Sequence, residues 1–426
     1  MDTFKIGVLR ETKTPPDHRV ALPPQQIAKL QKDYPQISVV VQKSPLRCYV
    51  DDEYVKAGIE FQEDLSDCDL LIGVKEVDIP ALVSDMAYIF FAHVAKEQPY
   101  NKDLLQAILS KNIKLMDYEY FTNRKGQRLI AFGRWAGIVG AYNGLRGLGI
   151  TSDAYSLKPA HECHDRIEMN AQLKNVVLNN AKILVSGGGR VGMGAMETLR
   201  ELNIREVAPA DFLSKEFEEP VICRIDPEHY VARKDGEAFD LHHFFENPTE
   251  YKSTALPFLE KADLYIAAHF WDPDSPRMFE IQDLKFGTQD SELPTADCQL
   301  PTVIADISCD INGSVPTTTR ATTIAEPFYI YNTEANKEEP LNHQRNPFNL
   351  RNISNPRNHI LMMTVDNLPG ELPRDASDEF SEVLIQEIIP RIVNDDPEGV
   401  IERATITENG KLTKHFSYLE DYSKGL

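Results

Sequence analysis

The sequence predicts an α/β protein made of two doubly wound domains with a cleft between them. Three observations carry that prediction. Short β-branched runs alternate with longer amphipathic stretches in both halves of the chain, the pattern of a parallel sheet wrapped by helices. A glycine-rich turn near residue 187 joins an apolar run to a helical stretch. In the first half, polar residues stand at the ends of successive apolar runs, where an open sheet presents a crevice. With 426 residues, 42% of them hydrophobic, the chain can bury two cores.

Residues 5–9, 38–41, 70–74, 88–92 and 113–116 read as strands of the first domain. An amphipathic stretch at 24–32 separates the first two, and a helix over 103–111 precedes the last. Residues 133–148, dense in Gly and Ala, read as a long helix leaving the first domain and entering the second. A further α/β series begins at 182–185 and continues at 264–267, 302–305 and 360–365. Over 375–392 the apolar residues Phe380, Val383, Leu384 and Ile388 keep helical spacing, so this helix is expected to return to the first domain. The expected domains are therefore 1–134 with 376–426, and 135–375. Residues 213–260, acidic, aromatic and irregular, read as an elaboration of the second domain. Residues 332–358, polar and punctuated by proline, read as a loop.

Charge and cysteine usage narrow the class. Lys and Arg number 45 against 66 Asp and Glu, a formal net charge of -21. Such a field repels phosphate backbones, which excludes nucleic acid as a partner while leaving room for a local basic pocket. The six cysteines, Cys48, Cys68, Cys163, Cys223, Cys298 and Cys309, are scattered and suit a reducing cytoplasm better than a disulfide framework. The N-terminus lacks the layout of a secretory signal, and no stretch approaches the roughly 20 apolar residues of a membrane span. A soluble, cytoplasmic protein is expected.

The glycine turn is the strongest motif. Gly187-Gly188-Gly189-Arg190-Val191-Gly192 matches G-x-G-x-x-G directly after one strand and before one helix, the context of a Rossmann-like dinucleotide site. Glycines allow the tight turn and let backbone approach a pyrophosphate, which the helix N-terminus then receives. Gly187, Gly189, Arg190 and Gly192 are the expected cofactor residues. Asp211, about 20 residues further on, is expected at the next strand end, where a carboxylate would accept from a ribose hydroxyl and repel a 2′-phosphate. That favours NAD, with NADP possible.

Arg19 follows the first strand, Lys75 and Glu76 close the third, His93 closes the fourth, and Glu119 lies just past the fifth. Each alone could be a solvated loop charge, but the repetition aims a set of acid–base groups at one crevice. A lysine shifts its pKa readily when desolvated or set beside a carboxylate, and imidazole is suited to proton transfer around neutrality. Arg19 and Arg128 are suited to bidentate holds on carboxylates. In the second half, Asp310 and Asn367 follow strands and are expected near the nicotinamide; both residue types also cap and turn.

These residues sit in motifs that resemble a known family. Residues 6–13 with 19–22, then Gly73-Val74-Lys75-Glu76, Phe91-Ala92-His93, Asp117-Tyr118-Glu119 and Ala131-Phe132-Gly133, resemble the start of the alanine dehydrogenase and saccharopine dehydrogenase superfamily. Residues 305–310, 321–324, 327–329, 365–369 and 372–374, with the tail 410–413, look like lysine-ketoglutarate reductase. The resemblance runs through nearly the whole chain in order. It implies an L-lysine-forming saccharopine dehydrogenase, which reversibly joins lysine and 2-oxoglutarate. It further implies Lys75 as the base for the secondary amine, and His93 as proton shuttle during imine hydration. Glu76 and Glu119 would tune those groups, and Arg19 and Arg128 would hold substrate carboxylates. No glutamate-forming partner domain follows, so a monofunctional chain is expected. The rival readings are an alanine dehydrogenase-like enzyme, a non-catalytic nicotinamide-binding protein, and a metal site at His161-Glu162-Cys163-His164-Asp165.

Overall fold

A computed structural model describes residues 3–284, 300–339 and 358–425. Contacts divide the chain into two compact units, Met1–Phe132 with Pro373–Leu426, and Gly133–Leu372.

The first unit holds β1 (Phe4–Val8), β2 (Ile37–Val41), β3 (Glu60–Phe61), β4 (Leu70–Ile72), β5 (Ala87–Phe90) and β6 (Lys114–Asp117). Its sheet is eight-stranded, in the order β6-β5-β4-β1-β2-β3, with an antiparallel hairpin of Thr405–Glu408 and Lys411–Leu412 added beside β6. Strands β1 to β6 pair in parallel. They are apolar almost throughout because helices cover both faces of such a sheet. The Pro24–Asp33 helix buries Ile27 and Leu30, and the Lys102–Ser110 helix buries Leu104, Leu105 and Ile108, each at helical spacing. The returning helix runs from Pro373–Val383 through a π-helical segment, Leu384–Ile388, into Ile389–Val393. Pro390 has no N–H to return to Gln386, and the ladder widens there. Phe380 on this helix stacks on Phe132, with ring centroids 4.2 Å apart.

The second unit contains β7 (Lys182–Ser186), β8 (Arg205–Glu206), β9 (Val221–Ile225), β10 (Val231–Arg233) and β11 (Tyr251–Ser253). It continues with β12 (Leu264–Ala267), β13 (Val303–Asp306), β14 (Phe328–Asn332), β15 (Lys337–Glu339) and β16 (His359–Met363). The main sheet is eight-stranded, in the order β15-β14-β16-β13-β12-β7-β9-β8. It is parallel apart from the antiparallel edge of β14 and β15. Strand β7 pairs with β12 on one side and β9 on the other, so the winding reverses there. The Gly133–Ser152 helix packs on the Arg190–Arg200 helix, and its glycine density has a physical cause. A Cβ on Gly137 would lie 1.9 Å from the Val191 carbonyl oxygen.

Two expectations are corrected. The 213–260 stretch is more than an elaboration, because it contains β9, which pairs with β7 and β8 inside the main sheet; of its strands only the β10–β11 ribbon stands apart. The 332–358 stretch is more than a loop, because β15 pairs with β14 inside it; residues 340–357 lie outside the described residues, as does Cys298. The cysteines among the described residues are free thiols. No described helix is long and apolar enough to cross a membrane.

Candidate active site

In the first unit the chain ends of β1, β4, β5 and β6 build one polar cluster. Glu11, just beyond β1, reaches the turn after β4. Its Oε1 accepts from the Val74 N–H at 2.7 Å and its Oε2 from the Lys75 N–H at 2.8 Å. Beyond β5 the backbone turns left-handed at His93, with φ 54°. The Ala92 and His93 N–H groups both donate to Asp117 Oδ2, at 3.0 and 3.2 Å, and Asp117 closes β6. Those supports bring His93 Nδ1 to 2.7 Å from Glu76 Oε1, while Lys13 Nζ lies 2.6 Å from Glu76 Oε2. Glu119 sits with Lys96 at 3.1 Å and Arg128 at 3.4 Å.

Burial and charge set the protonation of this cluster. Burial pushes the Lys75 amine below its ordinary pKa, and the Arg19 cation pushes the same way, against Asp17 and Glu76. Burial raises the Glu76 carboxyl, but the bonds from His93 and Lys13 outweigh it and hold the group at about 2. Glu11, fully buried, is pushed up to about 7 despite its two backbone donors. Burial likewise lifts Asp117 to about 6. Arg19 is only 3% exposed. Its Nε and Nη2 bond Asp17 at 3.0 and 2.6 Å, and its guanidinium lies 4.2 Å from the Phe132 ring centroid. That partner holds the buried Asp17 carboxyl well below the ordinary range, against the upward push of burial.

The structure thus joins Glu76 to His93 directly, brings Lys75 within electrostatic reach of both Glu76 and Arg19, and pairs Glu119 with Arg128. Lys13, Glu11, Asp17 and Asp117 complete the cluster and were not singled out from sequence. Glu11 and Lys13 stand directly after the first apolar run, at the same strand-end position that marked Lys75 and His93.

The second unit carries the glycine cradle. Gly187 has φ 97°, and a Cβ there would lie 2.8 Å from His269 Cα. A Cβ on Gly192 would lie 1.9 Å from the Gly187 carbonyl oxygen, so helix and turn close tightly. Gly189, which precedes the Arg190–Arg200 helix, faces open space. This is the cradle a pyrophosphate requires: tight turn, free backbone and helix N-terminus in one place. Beside it lies a cavity of about 290 Å³ lined by Val191, Ala268, His269, Trp271, Ser308 and Asp310. Burial raises the Asp310 carboxyl above its ordinary pKa, against a bond with Ser308. Asn367 heads the helical turn Leu368–Glu371.

Asp211 is not at a strand end. It lies in the first turn of the Pro209–Ser214 helix and pairs with Lys215 of the following turn at 2.9 Å. The reason is topological: β8 is a two-residue edge strand, and the strand beside β7 is β9. The carboxylate that follows β9 is Asp226. Its Oδ1 lies 2.6 Å from the place a Cβ on Gly188 would occupy, and its Oδ2 accepts from Arg224 at 2.9 Å. The sequence signal was the run Val221-Ile222-Cys223 before Arg224-Ile225-Asp226. At 161–165, His164 N–H donates to Glu168 and Cys163 Sγ to the Pro159 carbonyl. Among the described residues no group of three or more His, Cys, Asp or Glu could hold a metal ion.

Two parallel-dominated sheets with these strand-end sites define the alanine dehydrogenase-like class of α/β folds. A solved L-alanine dehydrogenase superposes with a TM-score of 0.57 over 99% of each chain, at 14% identity. Residues 7–139 match the family described as alanine dehydrogenase/PNT, N-terminal domain. The rat (Rattus norvegicus) mitochondrial alpha-aminoadipic semialdehyde synthase is 28% identical across 97% of this chain and 47% of its own length. This chain therefore spans about half the length of that relative. The L-lysine-forming, NAD(+) saccharopine dehydrogenase of Yarrowia lipolytica is 26% identical across 90% of this chain and 91% of its own. The chain is thus similar to saccharopine dehydrogenases over most of its length, and its residues 7–139 to the alanine dehydrogenase/PNT N-terminal domain.

Proposed function

We propose that this protein is an L-lysine-forming saccharopine dehydrogenase of the lysine-ketoglutarate reductase type. It would interconvert saccharopine with lysine and 2-oxoglutarate, using NAD(P). The observation that carries the reading is the cluster around Lys75: an amine depressed by burial, next to a carboxylate that is itself bonded to His93 and Lys13. A binding protein has no need of such a cluster. Acid–base work on an amine does.

The residues of the second unit fit a dinucleotide. Gly187, Gly189 and Gly192 would receive the pyrophosphate with Arg190 and its helix, and Asp226 would accept from the adenosine ribose, which favours NAD over NADP. Asp310 and Asn367 would border the nicotinamide. That group supplies hydride acceptance from the substrate carbon. Lys75, in its neutral form, takes the proton of the secondary amine as the C–H bond is oxidised. His93, oriented by Glu76, then withdraws a proton from the water that adds to the imine and returns one to the departing lysine nitrogen. Arg19, held rigid by Asp17 and Phe132, and Arg128, beside Glu119, offer positive charge to the substrate carboxylates. Free thiols support a reducing, cytoplasmic setting.

The test is a coupled panel read at the reduced-nicotinamide absorbance. Lysine plus 2-oxoglutarate should oxidise NADH, and saccharopine should reduce NAD. Turnover of ammonia plus pyruvate with neither of those reactions would overturn the assignment in favour of alanine dehydrogenase chemistry.

A further inference from the structure

Beneath the cofactor cavity of the second unit runs a chain of buried hydroxyl and imidazole groups that the chemistry above does not use. Tyr265 OH lies 2.9 Å from Ser186 Oγ, Ser186 Oγ lies 2.7 Å from His269 Nδ1, and His269 Nε2 lies 2.5 Å from Ser314 Oγ. Ser186 and Ser314 are 0% exposed and His269 8%. His269 and the Asp310 turn line the cavity, and Ser186 ties them to the strand before the glycine turn. Ser186 ends β7 directly before Gly187, His269 follows β12, and Ser314 follows the Asp310 turn, in which Gly313 N–H bonds the Asp310 carbonyl at 2.8 Å. The contact with the glycine turn is close as well, since Gly187 packs on the His269 backbone so tightly that a Cβ has no room.

We propose that His269 is a positioning residue of the dinucleotide site, a neutral imidazole that locks the strand before the glycine turn to the segment carrying Asp310. The inference rests on the dinucleotide reading of the second unit and adds a determinant to it. Both ring nitrogens face hydroxyls, which can donate or accept, so a neutral ring satisfies the chain with one N–H and one lone pair. Burial holds the ring at about 4, so it stays neutral at physiological pH. A neutral ring whose two nitrogens both bond buried hydroxyls brings no charge to the cavity. What it can do is fix distances: one flat group sets the gap between Ser186 and Ser314, and with it the width of the cavity whose wall it forms.

The alternative is a satisfied core histidine whose loss lowers stability and leaves ligand affinity alone. Titrating NADH fluorescence against the wild type, His269→Phe and His269→Gln, with thermal midpoints in parallel, separates the two. His269→Phe keeps the ring volume and removes both bonds. It is expected to weaken NADH binding by about tenfold or more and to raise the cofactor KM with the amino-acid KM within about twofold. His269→Gln, with one donor and one acceptor, should recover part of the affinity. Affinity within about twofold of wild type in a folded His269→Phe protein, whatever its midpoint, overturns the proposal. Should that variant fail to fold, Ser314→Ala removes the Nε2 bond alone, and unchanged affinity there overturns it equally. A wild type that binds no dinucleotide defeats the reading beneath the proposal. One that binds NADH but turns over no lysine and 2-oxoglutarate defeats only the substrate assignment, and the fluorescence result still decides the role of His269.

Discussion

Lys75 and Glu76 are adjacent in the chain, and both lie below their ordinary pKa for different reasons: burial depresses the amine, while the bonds from His93 and Lys13 depress the carboxyl against burial. Replacing the buried amine, Lys75→Met, should lower kcat by about 10²- to 10⁴-fold while leaving the thermal midpoint unchanged or higher, by initial rates and calorimetry. Glu76→Gln acts on Lys75 from a distance. The Glu76 carboxylate favours the Lys75 cation, so its removal lowers the amine pKa further, and the acid limb of the saccharopine-oxidation pH profile should move to lower pH. The same carboxyl makes a signed prediction about stability. Its folded pKa of about 2 lies below the ordinary 4.5, so its contribution is complete above pH 4.5 and is lost as pH falls toward 2. It is on the order of 3 kcal/mol. Glu11 carries the opposite sign. With its folded pKa raised to about 7, the folded state holds the proton more tightly, and stability falls as pH rises from 4.5 through 7. The urea midpoint of the wild type relative to Glu11→Gln should fall across that range, and a difference that stays constant from pH 5 to pH 8 would contradict the assignment.

At the scale of elements, the placement of β9 decides which carboxylate lies beside the glycine turn. Asp226→Gly should weaken NADH binding by about tenfold and move the preference toward NADPH, while Asp211→Asn should leave both affinities within about twofold. Equal effects of the two substitutions would return the ribose contact to doubt. Helix against helix, a Cβ on Gly194 would lie 2.1 Å from the Arg134 carbonyl oxygen. Gly194→Val should therefore cost about 3 kcal/mol or more, read as a lowered urea midpoint. The legibility of elements followed their burial. Strands β1, β2 and β4 to β7 show as apolar runs because both faces are covered. Strand β9 was hidden because acidic residues crowd its flanks, and the long helix was visible as a Gly- and Ala-dense run without a reason for that density. The reason is a partner helix more than 50 residues further along the chain, Gly137 meeting Val191 and Gly194 meeting Arg134, a non-local contact that propensity does not report.

On the whole-molecule scale, the last stretch of the chain completes a sheet begun by the first. Thr405–Glu408 pairs with β6, and Phe380 covers Phe132 and Tyr118. A chain truncated after Leu372 leaves that strand edge and those rings bare. Limited proteolysis should then cut within Met1–Phe132 while Gly133–Leu372 stays resistant, and equal resistance of both would show that the returning segment is dispensable. The -21 formal charge acts at this scale too, making retention of the protein on nucleic acid unfavourable at any ordinary salt.

Local chemistry is what the amino-acid string determined by itself. The glycine turn between strand and helix, the strand-end positions of Lys75, Glu76 and His93, and the alternation that builds parallel sheets all depend on neighbours a few residues apart. Pairing partners were decided only in three dimensions. Which strand lies beside β7, that Glu76 bonds His93, that Asp17 occupies Arg19, and that His269 bridges two serines 128 positions apart in numbering all depend on how sheets order their strands. Strand order is set by the burial of whole faces, a collective quantity that no single stretch of sequence contains.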